Sequence, residues 1–145
     1  MTDDPGQAEI LVSDRQAPPV EAGELVELAR ATLRGERLGR VELSVSFVDD
    51  AEMEELHRRF MDEPGSTDVL SFPMDDEEHD GVRVLGDVVI APTTAARNNP
   101  GDPAGELRLL LVHGILHILG YDHETPDERA LMWERQERYS GVRTP

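Results

Sequence analysis

Three histidines, His113, His117 and His123, fall within the single segment HGILHILGYDH, in a chain that has 5 histidines in all. The first two are four residues apart in an apolar run, and the third follows a glycine. Three neutral imidazoles can share one metal ion and leave a fourth position open. An open position is what metal-assisted hydrolysis needs, because a water placed there is the expected reactant.

The elements around the motif must bring the three rings together. Glu106 to Leu119 reads ELRLLLVHGILHIL, contains no proline and is mostly Leu, Ile and Val. That pattern predicts a helix buried on nearly every side. Residues four apart on a helix lie on one face, separated by about 6 Å along its axis. His113 and His117 can therefore point the same way. Gly120 stands where helices commonly end in a left-handed residue. The chain can then turn through Tyr121 and Asp122 and return His123 to the same ion.

A lone histidine on an apolar helix is more often a hydrogen-bonded core residue than a ligand. Three with this spacing reverse that preference, because burying unpaired imidazoles is costly. Imidazole ligands favour zinc, at one ion per chain, over nickel or copper. The spacing also matches the metzincin protease pattern H-E-x-x-H-x-x-G-x-x-H at every position but one, where Gly114 replaces the glutamate. That glutamate moves the proton in peptide hydrolysis, so a peptidase would have to use an unusual base.

HGILHILGYDH resembles the signature of the YbeY family, HGxLHLxGYDH, through His113, Gly114, Leu116, His117, Gly120, Tyr121, Asp122 and His123. Two further blocks, TDVLSFP at Thr67 to Pro73 and GDVVI at Gly86 to Ile90, fit the family in order and spacing. The resemblance covers about residues 40 to 140. It implies a metal-dependent single-strand endoribonuclease acting in ribosomal RNA maturation, including 16S 3′-end processing and ribosome quality control. It also implies His113, His117 and His123 as the metal ligands. One position departs from the family, which often carries an arginine after an aromatic, six residues before the threonine of TDVLSF. Here Met61 follows Phe60. Arg58 and Arg59 lie just upstream, and Arg59 is the candidate RNA contact.

The net charge of −17 runs against easy RNA binding, since nucleic-acid proteins usually carry a basic footprint. The acidic runs Asp49 to Glu55 and Asp75 to Asp80 read as solvated faces and loops. An RNA site would then be a local patch around the metal and a few arginines, with Arg59, Arg83, Arg97 and Arg108 as candidates. A ribosome or ribosomal protein could also guide the enzyme to its RNA. All 14 basic residues are arginine, and there are 0 cysteines. The lack of thiols excludes disulfides and thiolate zinc sites and fits a cytoplasmic location. No stretch approaches the roughly 18 apolar residues of a membrane span, and the acidic start has no signal pattern.

The chain length predicts one domain with one core. Residues 1–8 read as an N-terminal tail, 9–140 as the metal-dependent hydrolase domain and 141–145 as a C-terminal tail. Strands are expected at Glu9 to Ser13, Val41 to Val48, Val69 to Phe72 and Val84 to Ile90. Helices are expected at Pro19 to Leu33, Asp50 to Phe60, Thr93 to Asn98, Glu106 to Leu119 and Asp127 to Tyr139. Asp62 to Ser66 reads as a turn and Met74 to Gly81 as an acidic loop. This order suggests an α+β fold: a mixed sheet of about four strands covered by helices, with the histidine helix central.

Several residues carry secondary expectations. Asp122 could hold a ligand imidazole in one tautomer, or simply form the turn. Glu106 lies about 10 Å from His113 along the helix, so it reads as a first-turn acid favoured by the helix dipole. Thr67 and Ser71 could meet a phosphate or serve the strand edge. Trp133 reads as a core anchor, and His57 and His79 as surface residues. Besides the nuclease and the unusual peptidase, a third reading is a non-catalytic ribosome-associated factor with a structural zinc.

Overall fold

Alternation sets the sheet. In VELSVSF every other residue is buried, and this segment is the strand β2 (Val41–Phe47), with Val41, Leu43, Val45 and Phe47 facing the core. In this computed structural model, which describes residues 8–16, 19–61, 67–74, 78–79 and 81–142, β1 (Ala8–Asp14) and β5 (Val82–Ile90) flank it, both parallel to it. β3 (Val69–Pro73) runs antiparallel along the far side of β5. The sheet order is β1-β2-β5-β3, and a two-residue strand β4 (Glu78–His79) also pairs with β5. The mixed α+β sheet matches the expectation, with β4 as an addition inside the segment read as an acidic loop.

Five helices accompany the sheet: α1 (Gly23–Gly35), α2 (Asp50–Met61), α3 (Pro92–Asn98), α4 (Pro103–Ile118) and α5 (Pro126–Ser140). α4 packs against β3, β5, α1, α3 and α5, which makes it the hub of the molecule. Leu111, Val112, Ile115 and Leu116 are wholly buried. Burial of each such side chain contributes about 1.5–3 kcal/mol, so the helix that carries the histidines is also a main source of stability. Val88 and Ile90 of β5 join the core under α4, while Val89 points to the opposite face, where Met53 of α2 covers it.

Boundaries moved where caps decided them. α4 starts at Pro103, three residues before the expected Glu106, because Asp102 caps it by accepting from the Gly105 N–H at 3.0 Å. α5 starts at Pro126 behind a capping box in which Thr125 and Glu128 exchange hydrogen bonds. α1 starts at Gly23 rather than Pro19, and Asp14 holds the preceding Val20 N–H at 2.6 Å. Ala8, assigned to the tail, is instead buried in β1 against Val41. Gly141, also assigned to a tail, is the left-handed C-cap of α5. Residues 1–7 and 143–145 of the tails, the turn at 62–66 and residues 75–77 and 80 of the acidic loop lie outside the described residues. Among the described residues no helix is long and apolar enough to cross a membrane.

Candidate metal centre

α4 ends in a way that returns the chain toward its own last turns. Gly120 adopts φ 104°, donates its N–H to the His117 carbonyl, and is followed by Tyr121 N–H bonding the Leu116 carbonyl. This pair of bonds is the Schellman arrangement, and it comes with the expected apolar contact, since Tyr121 packs on the cluster containing Leu116. A side chain at φ 104° would be strained, so glycine at this position is what permits the reversal. His123 then comes back beside the two helical histidines.

The ring centroids of His113, His117 and His123 lie 5.4, 5.8 and 5.6 Å apart. One nitrogen from each falls within 4.8 Å of the other two. Nitrogens bound to a single zinc lie about 3.4 Å apart, given a tetrahedral site with bonds near 2.1 Å. Modest side-chain rotations close the set on an ion. The donors are three imidazoles, a set that fits a borderline divalent metal. His113 is half-buried and His123 exposed, so the cluster opens to solvent on the His123 side.

Gln136 of α5, which the sequence reading did not single out, orients the inner ligand. Its Oε1 lies 2.7 Å from His113 Nδ1, and Gln136 is itself buried. With Nδ1 donating, Nε2 is left to face the ion, which is the usual division of labour at a ligating histidine. Burial, and then the two neighbouring imidazoles, push the His113 pKa below its ordinary value, while Gln136 and Asp68 oppose the shift. The net effect favours neutral imidazole, the form that ligates. A Gln136→Leu variant is expected to bind zinc about tenfold more weakly, the lower end of the range for lost outer-shell partners. Competition against a chromophoric chelator measures it, and unchanged affinity would mean that packing alone orients His113.

The family model for Endoribonuclease YbeY matches residues 12–141. The chain belongs to the YbeY family. It is 44% identical over 138 residues to Endoribonuclease YbeY of Streptomyces coelicolor, covering 86% of this chain and 84% of that one. It is 46% identical to the Thermobifida fusca relative, covering 86% and 87%. A solution structure of a Thermotoga maritima protein superposes with a TM-score of 0.62 at 29% identity, covering 92% of this chain and 87% of that chain. The family makes the chain an endoribonuclease, a hydrolase acting on RNA.

The other residues of the YbeY blocks serve mainly to place the helix. Ser71 of TDVLSFP donates to the Gly114 carbonyl at 3.1 Å, tying β3 to α4 beside His113. Gly114 itself lies against β5: a Cβ there would sit 2.7 Å from Val88 Cγ1 and 3.2 Å from Ser71 Oγ. The position that holds a glutamate in metzincins is therefore pressed onto the sheet. Asp122 accepts from the backbone N–H of His123 at 2.7 Å, which shapes the turn, and Gln136 fills the imidazole-orienting place considered for it. Trp133, expected as a core anchor, is half-buried but also borders the site, its ring 5.5 Å from His123 and 6.1 Å from His113.

The arginines are mostly engaged elsewhere. Arg58 and Arg59 both pair with Glu55 on the exposed side of α2. Thr94 and then Arg97 hold Asp50, joining α3 to α2 and keeping that carboxyl below its usual range. Arg108 reaches the Ser140 carbonyl at 3.4 Å. Arg83 lines a cleft of about 540 Å³ with Tyr121 and Asp122. Glu106 sits in the first turn of α4, as expected, with its pKa raised by burial and by Asp68. Phe60 is exposed and meets Phe72 edge-on at 5.3 Å, next to Met61.

Proposed function

We propose that this chain is a zinc-dependent endoribonuclease that cleaves single-stranded RNA, with ribosomal precursor RNA, including the 16S 3′ end, as its substrate. The observation that carries the reading is the convergence of three imidazoles on the solvent-facing end of α4, with His113 held by Gln136. His113, His117 and His123 would hold one zinc per chain. The bound metal would supply Lewis acidity, activating a water or polarising a phosphoryl oxygen. The protein's own residues hold the ligand rings in register, keep His113 neutral and leave the His123 side open for a phosphodiester.

The opening at His123 favours a catalytic centre over a structural one, because structural zinc sites are closed by a fourth protein ligand. The packing of Gly114 on Val88 leaves no room for the glutamate of a metzincin-type peptidase. With a net charge of −17 the chain repels RNA at long range. A ribosome or ribosomal protein in the cytoplasm is therefore the proposed guide to the substrate, and Arg59 the proposed local contact.

The test combines zinc content with cleavage of a single-stranded ribosomal RNA fragment, alone and on ribosomal particles. About one zinc per chain is expected, with cleavage lost on chelation and restored by zinc, and a protein substrate left intact. One zinc per chain with no RNA cleavage in either setting would overturn the reading in favour of a structural site.

A further inference from the structure

The turn between His117 and His123 is tied to the rest of the protein by a carboxylate that belongs to neither the motif nor its helix. Glu36, directly after α1, has a side chain only 12% exposed. It accepts the Tyr121 hydroxyl at 2.6 Å and the Tyr139 hydroxyl at 2.5 Å, and Arg135 Nε stands 3.7 Å away. Tyr121 lies two residues before His123. Tyr139 and Arg135 lie on α5, the helix that also supplies Gln136 to His113 and Trp133 to the edge of His123.

We propose that Glu36 is a positioning residue for the metal centre, acting through Tyr121 to fix where the turn delivers His123. The inference rests on the zinc-site reading above. The Schellman bonds define the turn as far as Tyr121, and the Asp122 carboxylate bonds only the next backbone N–H. The Tyr121 hydroxyl is the side-chain link from this turn to α1, and hydrogen bonds to a carboxylate are stronger than neutral ones. Both phenol hydroxyls donate to the Glu36 carboxylate, one to each of its oxygens.

Tyr121 and Tyr139 make the same kind of bond to one carboxylate, but only Tyr121 is in the ligand turn. That difference separates positioning from general stabilisation. Zinc dissociation constants are to be measured by chelator competition for wild type, Tyr121→Phe, Tyr139→Phe and Glu36→Gln, together with thermal unfolding of each metal-free protein. Tyr121→Phe is expected to bind zinc about tenfold more weakly, and Glu36→Gln to fall between it and wild type. Tyr139→Phe is expected to stay within about twofold of wild type, even if its unfolding temperature drops as much as that of Tyr121→Phe. Wild-type affinity in Tyr121→Phe, or equal weakening in both tyrosine variants, overturns the positioning role. A wild type that binds no zinc overturns the metal reading itself, a distinct result.

Discussion

A His117→Ala variant is expected to lose zinc affinity by about two to three orders of magnitude while its metal-free form folds as the wild type does. Zinc sites in small proteins contribute about 10–16 kcal/mol. Shared over the four ligands of such a site, one imidazole carries about 2.5–4 kcal/mol, and each 1.4 kcal/mol is about tenfold in affinity. His117 lies outside the buried core, so its truncation removes a ligand without opening a cavity. RNA cleavage is expected to fall at least about a hundredfold at limiting zinc, following metal occupancy. Chelator competition, circular dichroism and the RNA assay on the same preparation measure all three. Full cleavage by a folded His117→Ala protein would sink the metal-dependent mechanism.

Substitution of Gly114 is expected to damage folding before it touches chemistry. A Cβ at this position meets Val88 Cγ1 at 2.7 Å and Cγ2 at 3.3 Å, and Val88 is wholly buried in the strand beneath. Valine is stiff at χ1 and cannot swing aside in a packed interior. Gly114→Ala is therefore expected to cost about 1–3 kcal/mol by overpacking. Gly114→Glu adds the burial of a carboxylate with no partner, a penalty of several kcal/mol more. Against a typical total of about 5–15 kcal/mol, that variant is expected to be largely unfolded. Urea denaturation measures both, and adding Val88→Ala should return part of the stability lost in Gly114→Ala. A Gly114→Glu protein that folds normally and cleaves peptides would refute the packing argument and revive the metzincin reading.

The histidine pattern and the glycine at 114 were both visible in the amino-acid order, but only one of them could be interpreted there. His113 and His117 are related by helical periodicity, and Gly120 and His123 by a local helix-ending motif. Each relation spans a few residues, so local geometry settles it. The reason for glycine at 114 lies in Val88 and Ser71, which approach from other strands and leave no periodic signal in the segment. Strand alternation in VELSVSF and the apolar run of α4 were equally legible, because burial on one face or on all faces writes itself into the residue pattern. The short β4 carried no such signal, since two polar residues cannot alternate.

Sequence alone determined the mixed α+β class, the central apolar helix and the three candidate ligands, because each depends on spacing within one element or on blocks of contiguous residues. Tertiary structure decided which groups serve those ligands. Gln136 reaches His113 across 23 residues, and Glu36 reaches Tyr121 across 85. It also gave Asp122 a backbone N–H as its partner, and set Trp133 beside the site as well as in the core. Long-range partners are chosen by how helices dock, and docking depends on the shape of the whole core rather than on any segment read by itself.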